Sequence, residues 1–218
     1  VNLSGLNPVL NHRCVEKTMP DAIKLDPKKT ALIIIDMVNA IAKGGPGPDY
    51  TLPDNRKDIV ASFQKMIAHC RKVGTPLIYI TTHRRADNAD APKTISDIGG
   101  GGGNPMLPGT PAVEVIDELA MQPEDFLLVK PRFSAYYGTN LDQILRHLGT
   151  ETILVGGIST QRSVEGTARD AKNRDTQCVV VSDCCTAGEV DVHEMTINHV
   201  LPLLVRVRNT DETIAALS

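Results

Sequence analysis

Two kinds of patterning alternate along the chain. Six short apolar runs, 31–36 (ALIIID), 76–81 (PLIYIT), 125–130 (DFLLVK), 152–157 (TILVGG), 177–183 (QCVVVSD) and 203–207 (LLVRV), are rich in Ile, Val and Leu. Their hydrophobicity is continuous rather than alternating, which predicts strands covered on both faces. Between them, apolar residues recur at helical spacing over 55–73, 111–119, 140–148, 163–174, 190–201 and 211–217. Such alternation predicts an α/β fold, a doubly wound sandwich of six mainly parallel strands with helices on both faces, because parallel neighbours need helical crossovers.

Three stretches fall outside this rhythm. Residues 1–29 carry three prolines and no clear period, and read as an arm lying over the body or over a neighbouring subunit, ahead of one domain spanning 30–218. Long loops follow the first two strands, at 42–53 and 83–110, the second containing five consecutive glycines from Gly99 to Gly103. That run lacks the Gly-Lys-Ser/Thr ending of a phosphate loop and is followed by Asn104-Pro105, so a lid or hinge is the expectation there.

Composition narrows the function classes. At 218 residues with 41% hydrophobic and 22% charged positions, the chain suits a single compact domain. A formal net charge of -3 and no long basic run give no footprint for nucleic acid. The apolar stretches are strand-sized, far below the roughly 20 residues of a membrane span, and the N-terminus lacks the layout of a signal peptide. A cytoplasmic protein acting on a small molecule is expected, with neither membrane nor nucleic acid as partner. Five scattered cysteines, at 14, 70, 178, 184 and 185, match neither a disulfide framework nor a metal-site spacing, and read as reduced, mostly buried thiols.

Chemistry concentrates at the carboxyl ends of the strands, where open α/β sheets bind ligands. The stretch 153–171 (ILVGGISTQRSVEGTARDA) reads as a strand running through a tight small-residue turn into a helix, with Ser163 at the helix start. This is the layout of a nucleophile elbow, where backbone N–H groups converge on a developing oxyanion. The first strand ends in Asp36 and the third in Lys130. Each has a plain structural reading, as a loop cap, a solvent-reaching lysine and a helix N-cap. Their joint placement favours function, because charges flanked by apolar strand residues are costly to bury unless paired.

The residues around these three positions, ALIIIDMVNA at Asp36, VKPRFSAYYGTNL at Lys130 and GGISTQRSVEGTARDA at Ser163, resemble the isochorismatase-like (cysteine hydrolase) superfamily, over roughly 30–217. The resemblance implies a Rossmann-like three-layer sandwich and an Asp-Lys-Cys triad, which becomes Asp36, Lys130 and Ser163. It also implies a cis peptide between Ile158 and Ser159 that aims the Ser159 and Ser163 amides at an oxyanion. In such a triad the carboxylate takes the proton of the nucleophile and later returns it, while the lysine holds the carboxylate. Serine at the nucleophile position weakens the scheme, since a hydroxyl is much harder to deprotonate than a thiol.

Other departures bear on substrate. After Asp36, the run Val38-Asn39-Ala40-Ile41 keeps only the asparagine of the family's Gln-Asn-Asp-Phe. The segment His83-Arg84-Arg85-Ala86-Asp87 offers one histidine where the metal-dependent nicotinamidases have an Asp and two His. The run SAYYGTN looks closer to the carbamoyl amidases, which implies no metal and no cofactor. Placement makes Phe133, Tyr136 and Tyr137 candidates for the pocket wall, and His83, Arg84 and Arg162 candidates to meet an anionic or carbonyl end of a substrate. The leading expectation is hydrolysis of a C–N bond in a small amide or carbamoyl compound, impaired by the serine. A vinyl ether hydrolase using Asp36 as acid, or a silent binding protein of the same fold, stay open beside it. The arm and the resemblance suggest a homodimer or homotetramer.

Overall fold

The computed structural model describes residues 23–44, 51–97 and 106–218, so the glycine run and residues 1–22 lie outside the described residues. Six strands form one sheet: β1 (Thr30–Ile35), β2 (Leu77–Thr81), β3 (Phe126–Val129), β4 (Thr152–Ile158), β5 (Gln177–Thr186) and β6 (Arg206–Arg208). Their order is β3-β2-β1-β4-β5-β6. Every pairing between them is parallel.

Alternation along β1 feeds two separate cores. Leu32 and Ile34 point to one face, where α1 (Lys57–Val73) and α5 (Thr210–Ala216) cover the sheet with Phe63, Met66, Ile67 and Ala216. Ala31, Ile33 and Ile35 point to the other, against α2 (Leu141–His147) and α3 (Glu165–Asn173). Phe63 and Met66 are fully buried, and burial of each such side chain contributes about 1.5–3 kcal/mol. α1 ends where Gly74 takes a left-handed φ of 78° and its N–H closes onto the Arg71 and Cys70 carbonyls. α5 starts in a capping box, Asn209 accepting from Glu212 N and Glu212 accepting from Asn209 N.

The two glycines of β4 permit close approaches on different sides, Gly157 to β1 and Gly156 to β5 and α1. Gly157 has φ 142°, and a Cβ there would meet the Ile35 carbonyl oxygen at 2.1 Å. At Gly156 the space is filled by Cys184 and the Phe63 ring, 2.8 and 2.9 Å from where a Cβ would stand. The register with β5 shifts between Val155 and Gly157, which carries β5 on to Thr186, beyond the Asp183 end expected.

Two helices differ from expectation. The segment 111–119 is not a helix but two short 3-10 turns, Pro111–Val113 and Asp117–Leu119. Between them Val115 bridges antiparallel to Val38 and Ile116 N donates to the Met37 carbonyl. Tertiary pairing with the loop after β1 overrides the helical period. The expected 190–201 helix narrows to α4 (Val190–Met195), then widens over Thr196–Val200 and tightens over Leu201–Leu203, a 3-10 turn that contains Pro202. Of residues 1–29, the described part lies on the chain's own body: Leu25 N donates to Ala216 O, and Asp26 caps the turn Pro27–Lys29.

Candidate active site

The sheet register brings three distant residues to one level. Ile35 pairs with Ile80 and Gly157, and Thr81 pairs with Val129, so Asp36, Lys130 and Ile158 leave the carboxyl edge of the sheet within one residue of each other. Asp36 N donates to the Ile80 carbonyl and Lys130 N to that of Thr81, which extends the ladder one step past the strands. Asp36 then takes a left-handed φ of 56°, uncommon for a residue other than glycine and frequent at functional positions.

There Asp36, Lys130 and Ser163 meet. Lys130 Nζ lies 2.7 Å from Asp36 Oδ2, with both side chains only 4% exposed. Ser163 Oγ donates to the same oxygen at 2.9 Å, and Lys130 Nζ donates to Ser163 Oγ at 3.4 Å. Asp36 Oδ1 is buried and has no partner among the described residues. Burial pushes the Asp36 carboxyl above its ordinary range, opposed in part by the Lys130 charge and by hydrogen bonds from Lys130 and Ser163. The arrangement is a carboxyl held by a cation, with one oxygen on both the hydroxyl and the ammonium and the other without a partner among the described residues, a layout chemically able to exchange a proton with the serine.

The elbow itself is a wide helical turn, Thr160–Val164, entered from a cis peptide between Ile158 and Ser159. Ser159 O is its first acceptor and takes the N–H groups of Arg162, Ser163 and Val164 at 3.1, 3.1 and 3.3 Å. The Ser163 amide, expected to face an oxyanion, is thus directed back onto Ser159. Sequence reasoning missed two side chains that fix the turn. Thr167 donates to the Ser163 carbonyl at 2.7 Å and accepts from Ala135 N at 2.9 Å, tying the loop after Lys130 to the elbow. A threonine four residues after the serine is the signal that could have found it. Thr160, fully buried, meets His193 Nδ1 of α4 at 2.8 Å. No spacing rule links those two positions.

The remaining candidates separate by placement. Tyr136 is 5% exposed and packs into the α2/α3 core, its ring 4.6 Å under the Arg174 guanidinium. Arg174 caps the end of α3 remote from Ser163, so the ring fills core where a pocket wall was expected. Burial pushes its hydroxyl up to about 12. Phe133 and Tyr137 are each 62% exposed, and Arg84 and Arg162 are exposed while His83 is half-buried. None of their side chains bonds to Asp36, Lys130 or Ser163. Cys70, Cys178, Cys184 and Cys185 are buried free thiols, all pushed up by burial and none at the elbow. Among the described residues no three His, Cys, Asp or Glu side chains cluster as a metal site, and no helix is long and apolar enough to cross a membrane.

Residues 30–212 match the isochorismatase domain. The chain is 31% identical over 202 residues to ureidoacrylate amidohydrolase RutB of Acinetobacter baylyi, an alignment covering 85% of this chain and 82% of that protein. An isochorismatase family protein from Burkholderia thailandensis superposes with a TM-score of 0.78 at 30% identity, over 90% of this chain and 98% of that one. N-carbamoylsarcosine amidase from Thermoplasma acidophilum superposes with a TM-score of 0.65 at 26% identity, over 84% and 97% of the two chains.

Proposed function

This chain belongs to the isochorismatase family, and on that premise we propose that it hydrolyses a C–N bond of a small amide or carbamoyl compound, slowly, with Ser163 in place of the family's cysteine. The observation that carries the reading is the shared oxygen. Asp36 Oδ2 accepts from Ser163 Oγ and from Lys130 Nζ together, so it can take the serine proton while the ammonium keeps the carboxylate in place.

In this scheme Ser163 Oγ attacks the carbonyl carbon as its proton passes to Asp36. The tetrahedral intermediate collapses, Asp36 returns the proton to the departing nitrogen, and an amine or ammonia leaves an acyl or carbamoyl ester on Ser163. Water then gives a proton to Asp36 and attacks the ester, and Asp36 restores the Ser163 hydroxyl. Asp36 Oδ1, without a partner among the described residues, is the acceptor that can receive an N–H of the substrate or the O–H of that water. The amide relatives, RutB and N-carbamoylsarcosine amidase, support this substrate class.

A second reading is favoured by one observation, the upward push on the Asp36 carboxyl. A carboxyl that keeps its proton is a general acid, and a vinyl ether hydrolase built on Asp36 needs no nucleophile at 163. The test is ammonia or amine release from a panel of small amides, ureas and carbamoyl amino acids, with the wild type and Ser163→Cys compared. The cysteine form should be faster by about 100-fold or more, the scale on which a competent nucleophile and base contribute. If Ser163→Cys releases nothing from any compound while a vinyl ether acid is cleaved by the wild type, the amidase reading fails.

A further inference from the structure

α4 lies over the elbow without sinking into the body. None of its residues is buried, Val190 and Met195 are well exposed, and neither core cluster includes any part of it. Apolar burial therefore does not explain its place. One polar side chain does: His193 is half-buried, and its Nδ1 lies 2.8 Å from Oγ1 of the fully buried Thr160. Among the described residues this is the hydrogen bond by which a side chain of α4 reaches another element.

The direction of that bond follows from what Thr160 has to satisfy. Its hydroxyl carries one proton, and His193 Nδ1 is its partner among the described residues. Were Nδ1 to carry the imidazole proton, the hydroxyl hydrogen would be buried without an acceptor, at a cost of about 1–3 kcal/mol. The ring therefore holds its proton on Nε2 and accepts from Thr160 through Nδ1. Burial lowers the pKa of His193, with Glu194 opposing, and so keeps Nδ1 free to accept.

We propose that His193 is a positioning residue for Ser163, acting through Thr160; the inference deepens the reading of Ser163 as nucleophile and rests on it. Thr160 opens the wide turn directly after Ser159, whose carbonyl takes the N–H groups of Arg162, Ser163 and Val164, and its own carbonyl accepts from Glu165 N at the start of α3. Holding the Thr160 side chain thus holds the Ser159–Thr160 peptide and the oxygen onto which the Ser163 N–H closes. Thr167 secures the other end of the turn through the Ser163 carbonyl. Between these two ties Ser163 Oγ stands 2.9 Å from Asp36 Oδ2, and a misplacement of about 1 Å at such a contact costs up to about 100-fold in rate.

The test uses the full chain carrying Ser163→Cys and reads two quantities: kcat and KM on an amide, and the pH midpoint of iodoacetamide alkylation of the introduced thiol, followed by peptide mass spectrometry. Adding His193→Leu should lower kcat about tenfold or more while KM changes less than about threefold. It should also raise the alkylation midpoint by about half a pH unit or more, as the thiol loses its place beside the Lys130 ammonium. His193→Asn, whose side-chain oxygen can stand where Nδ1 stands, should restore both to within about threefold. Thr160→Val breaks the same bond from the other side and should match His193→Leu, and the double variant should be no worse than either alone. An unchanged kcat and midpoint in His193→Leu, a His193→Asn no better than it, or losses that multiply in the double variant overturn the proposal. If Ser163→Cys hydrolyses no amide, the amidase reading fails and the alkylation midpoints alone decide the role of His193. Circular dichroism checks the fold of each variant, and if His193→Leu does not fold, Thr160→Val supplies the same two readings.

Discussion

Replacing Lys130 by methionine removes the ammonium while keeping the length and apolar stem of the side chain. What remains is a carboxyl 3% exposed, with Ser163 Oγ as its only hydrogen-bond donor among the described residues. Burial already raises the Asp36 carboxyl, and Lys130 is the foremost opposing influence, so its loss drives the carboxyl further up. The folded protein then binds a proton that the unfolded chain, near pKa 3.9, releases. Stability of the variant is fully present below that value and is lost as pH rises toward the folded-state pKa, by at most about 1.4 kcal/mol per pH unit. Between pH 5 and pH 8 the variant should lose up to about 4 kcal/mol relative to wild type, the size of penalty seen when one member of a buried pair is removed. Urea unfolding of both proteins at the two pH values measures it. An equal destabilisation at pH 5 and pH 8 would refute the reasoning, because the cost would then be packing and not an unpaired charge.

Gly157→Ala should cost about 3 kcal/mol, since a Cβ at φ 142° runs into the Ile35 carbonyl oxygen and adds steric strain to an unfavourable backbone conformation. Thermal unfolding should fall by about 6–12 °C for a chain of this size, and an unchanged midpoint would mean β1 and β4 can separate there. The pH profile of kcat/KM for Ser163→Cys on an amide should rise with pH through the Asp36 pKa, above the ordinary carboxylate range, because the base must be unprotonated. A profile that falls with pH over that range would instead assign Asp36 the role of acid.

Fold and site were legible in the sequence to different depths. Strands β1, β2 and β4 stood out because each is an apolar run buried on both faces, and β1 was placed within one residue; the 203–207 run misled, since Leu203 closes a 3-10 turn and β6 spans only Arg206–Arg208. The 111–119 segment misled because its spacing is helical while its backbone partners, Val38 and Met37, lie more than seventy residues earlier. No local pattern reports a partner at that distance. Asp36, Lys130 and Ser163 were visible as charged or polar residues at the ends of apolar runs. Tyr136 was misplaced because residue type and nearness to Lys130 do not say which way a loop side chain turns; here it turns down along α3 to Arg174. His193 was invisible, since what gives it a role is contact with Thr160, and that depends on how α4 folds back over the elbow.

The three polar side chains of the site hang from β1, from the end of β3 and from the turn after β4, and β2 separates β3 from β1. Lys130 can therefore meet Asp36 only when β2 is already seated between their strands, and Ser163 only when β4 has docked on the far side. A half-assembled sheet, however compact, holds no such centre. Catalysis, or simply the pH response of Asp36, can thus serve as a reporter of complete assembly during refolding, lagging any signal of helix formation and arriving with the last of these four strands.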